Sequence, residues 1–189
     1  MSNMQNICVF LGANSGSKIT YDDSTIFLAK EIARRKLKLI YGGASIGLMG
    51  RLADTALDFG AVVIGVITES LANKEIAHRN LTELHIVESM QERKSMMSSM
   101  SDAFIALPGG VGTLEEVFEI WNAIKIGIYK KPLGLLNIDG YFDLLINFLK
   151  HASAEGFIKR EQLDLIVISD CPAALLNMMT SILDKPCLD

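Results

Sequence analysis

The sequence predicts an α/β protein, a three-layer α/β/α sandwich built around a mainly parallel central sheet. Short runs of Ile, Val and Leu alternate with longer stretches of helical period along the whole chain. Most of those runs are apolar without alternation, as strands covered by helices on both faces are. Glycines gather just after the predicted strands, where the chain turns into the next helix.

The first strand runs from Ile7 to Leu11 and is followed by Gly12 and Gly16. A helix is expected from Ser24 to Lys36, with Ile26, Ala29, Ile32 and Ala33 on one face and Lys30, Arg34 and Arg35 off it. The second strand, Lys38 to Tyr41, meets Gly42-Gly43 and then a helix from Gly47 to Phe59. The third and fourth strands, Ala61 to Ile67 and Leu84 to Val87, precede a helix from Met90 to Ser101. The fifth, Ala103 to Leu107, leads through Gly109, Gly110 and Gly112 into a helix from Thr113 to Lys125. Strands Pro132 to Leu136 and Leu165 to Ser169, each with a following helix (Tyr141 to His151 and Pro172 to Leu183), complete the pattern. No linker, charge block or repeat interrupts it, so residues 1–189 are expected to form a single domain with one substantial core.

Composition narrows the function. Eighteen basic against 22 acidic side chains give a net charge of -4, which argues against a nucleic-acid partner. The three cysteines, Cys8, Cys171 and Cys187, are too scattered for a disulfide framework or a Cys-x-x-Cys zinc site, and a reducing, cytoplasmic compartment is expected. The three histidines lack helical ligand spacing, so no metal is implied. The polar start, Met1 to Asn6, leads into a five-residue apolar run too short for an export signal or a membrane span.

Three glycine clusters, after the first, second and fifth strands, fall on one edge of a parallel sheet. That carboxyl edge is where such sheets bind ligands, because loops there feed helix amino termini whose free N–H groups favour anions. Gly42 to Gly47 lacks the dinucleotide spacing, and no Walker lysine is present. A mononucleotide or sugar phosphate fits better than a dinucleotide, and no cofactor is implied.

Pro108-Gly109-Gly110-Val111-Gly112-Thr113-Leu114-Glu115-Glu116 joins an anion cradle to a carboxylate. Two readings stay open. With Thr113 as N-cap, Glu116 occupies the third helical position, and Thr-x-x-Glu is a capping box. Alternatively, a carboxylate beside a phosphate-binding terminus costs repulsion and burial unless it has chemical work to do. Arg93 and Lys94 open the helix after the fourth strand, where two cations oppose the helix dipole by about 0.3–1 kcal/mol each unless an anion lies nearby. Met90, Met96, Met97 and Met100 read as packing residues at this level.

Together these residues resemble the LOG ("Lonely Guy") family, Rossmann-like phosphoribohydrolases long mislabelled as lysine decarboxylases. Besides P-G-G-x-G-T-x-x-E at Pro108 to Glu116, the chain carries Arg93-Lys94, Ser101 to Gly110 as S-D-A-F-I-A-L-P-G-G, and Gly47 to Gly50 as G-L-M-G. Further matching pieces, among them Tyr41-Gly42-Gly43 and Asn137 to Tyr141, extend the resemblance from about Ile7 to Ile158. It implies hydrolysis of the N-glycosidic bond of a nucleoside 5′-monophosphate, a cytokinin riboside monophosphate or AMP, to free base and ribose 5-phosphate. It implies Arg93 and Glu116 as the catalytic pair. It assigns substrate binding to Glu75, Met90, Lys94, Gly109, Gly110, Val111, Gly112, Thr113 and Asn122, and implies a homodimer or larger homo-oligomer. The chain departs from the family pattern at Ala13, Asn14, Ala44, Thr68 and Gln91, and from Asn122 to Gly127.

The implied chemistry suits the residues. Cleaving a C1′–N bond builds positive charge on the ribose, which a carboxylate such as Glu116 stabilises while the loop grips the phosphate. A non-catalytic carrier or sensor of a nucleotide or phosphorylated cofactor is the alternative. Amino-acid decarboxylation ranks below both, since no lysine has the setting expected for pyridoxal chemistry.

Overall fold

The computed structural model describes residues 4–184. Seven strands, β1 (Asn6–Phe10), β2 (Lys38–Tyr41), β3 (Val63–Thr68), β4 (Glu83–Val87), β5 (Ala103–Ala106), β6 (Leu133–Leu136) and β7 (Ile166–Ser169), form one sheet. Their order is β4-β3-β2-β1-β5-β6-β7, with every pairing parallel. The chain winds outward from β1 to β4, then returns to the centre to begin β5 beside β1. That reversal is the topological switch point at which open parallel sheets hold their ligands.

Among the described residues eight helices cover the sheet: α1 (Ile19–Arg34), α2 (Gly47–Asp58), α3 (Glu69–Leu71), α4 (Met90–Ser99), α5 (Val111–Lys125), α6 (Asp143–Ala154), α7 (Arg160–Leu163) and α8 (Pro172–Leu183). Ile7, Val9 and Leu11 pack on one face with Leu28 of α1, Leu52 of α2 and Leu175 of α8. Cys8 and Phe10 pack on the other with Met97 of α4, Trp121 of α5 and Leu149 of α6. Successive residues of β1 are therefore buried in opposite layers, which explains an apolar run without alternation. Leu28, Leu52 and Leu175 are fully buried, and each contributes about 1.5–3 kcal/mol of hydrophobic stabilisation.

The starts of α1, α5 and α6 differ from expectation. α1 begins at Ile19, five residues before Ser24, because Tyr21 and Thr25 are buried there and the Thr25 hydroxyl donates to the Tyr21 carbonyl at 2.7 Å. Its polar first turn conceals that burial from a reading based on periodicity. At the other end Lys36 takes a left-handed φ of 58° and turns the chain into β2. The last predicted crossover helix starts at Asp143 rather than Tyr141, after a 3-10 turn at Ile138–Gly140. α3, the π-helical turn Ala72–Ile76 that continues it, and α7 are too short to show helical periodicity and went unpredicted.

β1 and β5 are tied together at both ends. The Gly12 N–H, beyond β1, donates to the Pro108 carbonyl beyond β5 at 3.1 Å. Asp102, just before β5, accepts the backbone N–H groups of Gln5 and Asn6 at 2.9 and 2.8 Å. Among the described residues no helix is long and apolar enough to cross a membrane.

Candidate active site

At the carboxyl ends of β1, β2 and β5 lies an open cleft of ≈ 490 Å³. Its walls come from the loop after β1 (Asn14, Ser15), Gly42 after β2, the glycine loop after β5 and Tyr141 after β6, with Arg93 and Glu116 at its floor. The glycine clusters expected to share one edge do so.

Arg93 and Glu116 form a buried ion pair. One guanidinium nitrogen of Arg93 donates to Glu116 Oε1 at 3.1 Å, and the two side chains are 10% and 12% exposed. Arg93 Nε also donates to the Val66 carbonyl of β3 at 2.9 Å, which fixes the plane of the guanidinium. Gly42 makes room for it, since a Cβ there would overlap the guanidinium and the Met49 methyl. Burial pushes the Glu116 carboxyl up to about 6; the Arg93 charge pulls against that shift and Glu115 adds to it. An acid raised in the folded state favours folding while protonated. That contribution is lost as pH rises from 4.5 through 6, by about 2 kcal/mol. Maintaining an ionised Glu116 at neutral pH is therefore a standing cost, as expected of a group poised for chemistry.

The capping-box reading does not hold. α5 starts at Val111 with Gly110 as N-cap and no side-chain cap bond, two residues before the expected start at Thr113. Thr113 is instead the third helical residue, buried, with its side chain pressed against Gly109 so closely that a Cβ there would overlap it. Glu116 consequently lies in the second turn, away from the cap, and is free to meet Arg93. At Gly110 and Gly112 an added Cβ would meet nothing, and Val111 is 85% exposed, so the first turn of α5 is uncovered, and its amide groups have no partner within the helix.

The other expected residues divide. Met90 lines the cleft, and its sulfur accepts from Arg93 at 3.4 Å. Lys94 lies outside the lining, held by Glu115 and Glu119, which push its ammonium up. Asn122 lies along α5 in a separate groove with Phe118 and Phe148. Glu75 falls in the π-helical turn, and its side chain lies outside the described residues.

Tyr21, and Tyr141 at the end of the matching piece Asn137 to Tyr141, also wall the cleft although neither was expected to bind substrate, and they meet edge to face at 5.8 Å between centroids. The Tyr141 hydroxyl donates to the Gly109 carbonyl at 2.6 Å. The available signal was positional: Tyr141 closely follows the sixth strand, on the edge already marked by glycines. Among the described residues no lysine lines the cleft.

A protein-family model described as "Possible lysine decarboxylase" matches residues 49–179. The chain is similar to a "Probable cytokinin riboside 5′-monophosphate phosphoribohydrolase" of Oryza sativa subsp. japonica, 46% identical over 173 residues, 92% of this chain and 78% of the relative. It is similar to a cytokinin riboside 5′-monophosphate phosphoribohydrolase of Arabidopsis thaliana, 41% identical over 184 residues, 97% of this chain and 86% of the relative. In fold it resembles the molybdenum cofactor binding protein from the phototrophic bacterium Rippkaea orientalis. That match has a TM-score of 0.71 and 22% identity, and covers 95% of this chain and 98% of the other.

Proposed function

The chain belongs to the LOG family of phosphoribohydrolases, and on that premise we propose that it hydrolyses the N-glycosidic bond of a nucleoside 5′-monophosphate, a cytokinin riboside monophosphate or AMP. The products are the free base and ribose 5-phosphate. The observation that carries this reading is the buried Arg93–Glu116 pair at the floor of a cleft whose rim is the glycine loop.

The amide groups opening α5 take the phosphate, with the helix dipole behind them. The ribose then lies over the floor, where the ionised Glu116 stabilises the positive charge that develops as the C1′–N bond breaks, and aligns water. Arg93 keeps Glu116 ionised at neutral pH and holds its carboxylate in one orientation. Met90 and Leu71 supply apolar wall for the base. Lysine decarboxylation through a pyridoxal Schiff base would need a lysine amine in the cleft, and none of the described residues supplies one.

In this reading residues 1–189 act as one nucleotide-binding domain in the cytoplasm and assemble as a homodimer or larger homo-oligomer. Exposed Phe118, Leu144, Phe148 and Phe157 on α5, α6 and the segment after α6 support assembly. Light scattering of the purified protein measures it.

The test of function is base release from AMP and isopentenyladenosine monophosphate, followed by chromatography, with the dephosphorylated nucleosides in parallel. Release from the monophosphates alone is expected. Stoichiometric binding without release would instead make the protein a carrier.

A further inference from the structure

The cleft binds its anion, on the reading above, with backbone amides, and such a site works only while the peptide planes face the right way. A peptide flipped by half a turn presents a carbonyl oxygen where an N–H should be, converting attraction for a phosphate into repulsion. The segment most open to that error is Gly109–Gly110, two residues without Cβ atoms.

Two hydrogen bonds restrain it. The Pro108 carbonyl accepts from the Gly12 N–H at 3.1 Å, and the next carbonyl, of Gly109, accepts from the Tyr141 hydroxyl at 2.6 Å. Because C=O and N–H of a trans peptide point in opposite directions, holding the Gly109 oxygen also sets the direction of the Gly110 N–H. Gly110 is the N-cap of α5, so this amide belongs to the group that meets the anion.

Tyr141 is itself well braced. Its ring meets Tyr21 and Phe142 edge to face, with centroids 5.8 and 4.9 Å away. The preceding turn is pinned by Asp139, which accepts from the Thr20 hydroxyl at 2.7 Å, and by Asn137, which accepts the Phe142 N–H at 2.7 Å. Asp139 takes a left-handed φ of 50° within that turn. A tyrosine held this firmly, with its hydroxyl on a carbonyl of the loop, has a geometry that packing alone does not require.

We propose that Tyr141 is a positioning residue for the phosphate, acting by locking the Gly109–Gly110 peptide so that its carbonyl faces away from the anion. This rests on the phosphoribohydrolase reading of the same cleft and deepens it.

Tyr141→Phe removes the hydroxyl and keeps the ring. Losing one hydrogen bond that orders the loop is expected to weaken binding of ribose 5-phosphate and inorganic phosphate about 3- to 10-fold. KM for the nucleotide should rise by a similar factor, kcat should change less, and adenine binding should not change. Tyr129→Phe, which removes a hydroxyl contact to Ser98 Oγ (2.9 Å) outside the cleft, serves as the control and should leave all five values unchanged. Calorimetry with ribose 5-phosphate, phosphate and adenine, beside steady-state kinetics, reads them. If wild-type protein turns over and Tyr141→Phe matches it in KM and in ribose 5-phosphate affinity, the positioning role is wrong. Equal weakening of adenine and phosphate would also overturn it, since that marks general loosening. If wild-type protein binds phosphate and cleaves no nucleotide, the function proposed above fails, and the phosphate affinities still decide the role of Tyr141.

Discussion

Replacing Glu116 with Gln removes the ionising group while keeping its size and its ability to accept from Arg93. If the ionised carboxylate supports the cationic sugar, turnover should follow its ionised fraction. With the carboxyl raised to about 6, that fraction is about nine tenths at pH 7 and about one tenth at pH 5. Turnover should thus fall roughly tenfold between those values, where an ordinary glutamate would give a fall of about 1.3-fold. Glu116→Gln should lose about 10²–10⁴ in kcat at pH 7, the range of a positioned acid-base group. Substrate phosphate also titrates near pH 6. Carboxyl NMR of Glu116 in the ligand-free protein therefore has to accompany the kinetic profile. A Glu116 titration near 4.5, or a variant that retains both its rate and the acid limb, would refute the reasoning.

Arg93→Met removes the charge that lowers Glu116, so the same titration should move above 6; an unchanged midpoint would mean that Arg93 does not govern the carboxyl. Gly42→Ala should cut turnover by up to about 10²-fold and also lower stability, because the atoms in its way are the Met49 methyl and the Arg93 guanidinium, which Val66 and Glu116 hold in place. Thermal melts beside kinetics would separate the two effects. Arg34 and Arg35 hold the Glu31 carboxyl down to about 2, so its contribution is present above pH 4.5 and is lost as pH falls toward 2. Glu31→Gln should cost about 1–3 kcal/mol in urea unfolding at pH 7 and flatten the acid dependence over that window.

Much of this molecule was legible because burial on both sheet faces leaves a plain mark. β1, β2 and β5 lie within about a residue of expectation, and their glycines gather at the switch point between β1 and β5. Glu116 and Arg93, which the resemblance named together, form an ion pair in the cleft. Legibility ended where tertiary contact overrides local chemistry. Thr-x-x-Glu is a sound capping pattern, yet Thr113 is drawn inward against Gly109 and the helix starts two residues earlier. Lys94 carries the charge expected of a phosphate ligand, but Glu115 and Glu119 on α5 compete for it from a neighbouring helix. Tyr141 was matched only as the end of the piece Asn137 to Tyr141, because its hydroxyl reaches back 32 residues to Gly109, a relation that no period or spacing expresses.

The ion pair also bears on how the chain can be divided. Arg93 lies on α4, within the crossover from β4 back to the sheet centre, and Glu116 lies on α5, after it. A fragment ending after α4 would carry an arginine without its counter-charge, and the complementary fragment a carboxylate in the same condition. Leaving one member of a desolvated pair uncompensated costs about 3–5 kcal/mol. Each piece is thereby discouraged from maturing alone, and the two sides of the switch point are coupled into a single cooperative event.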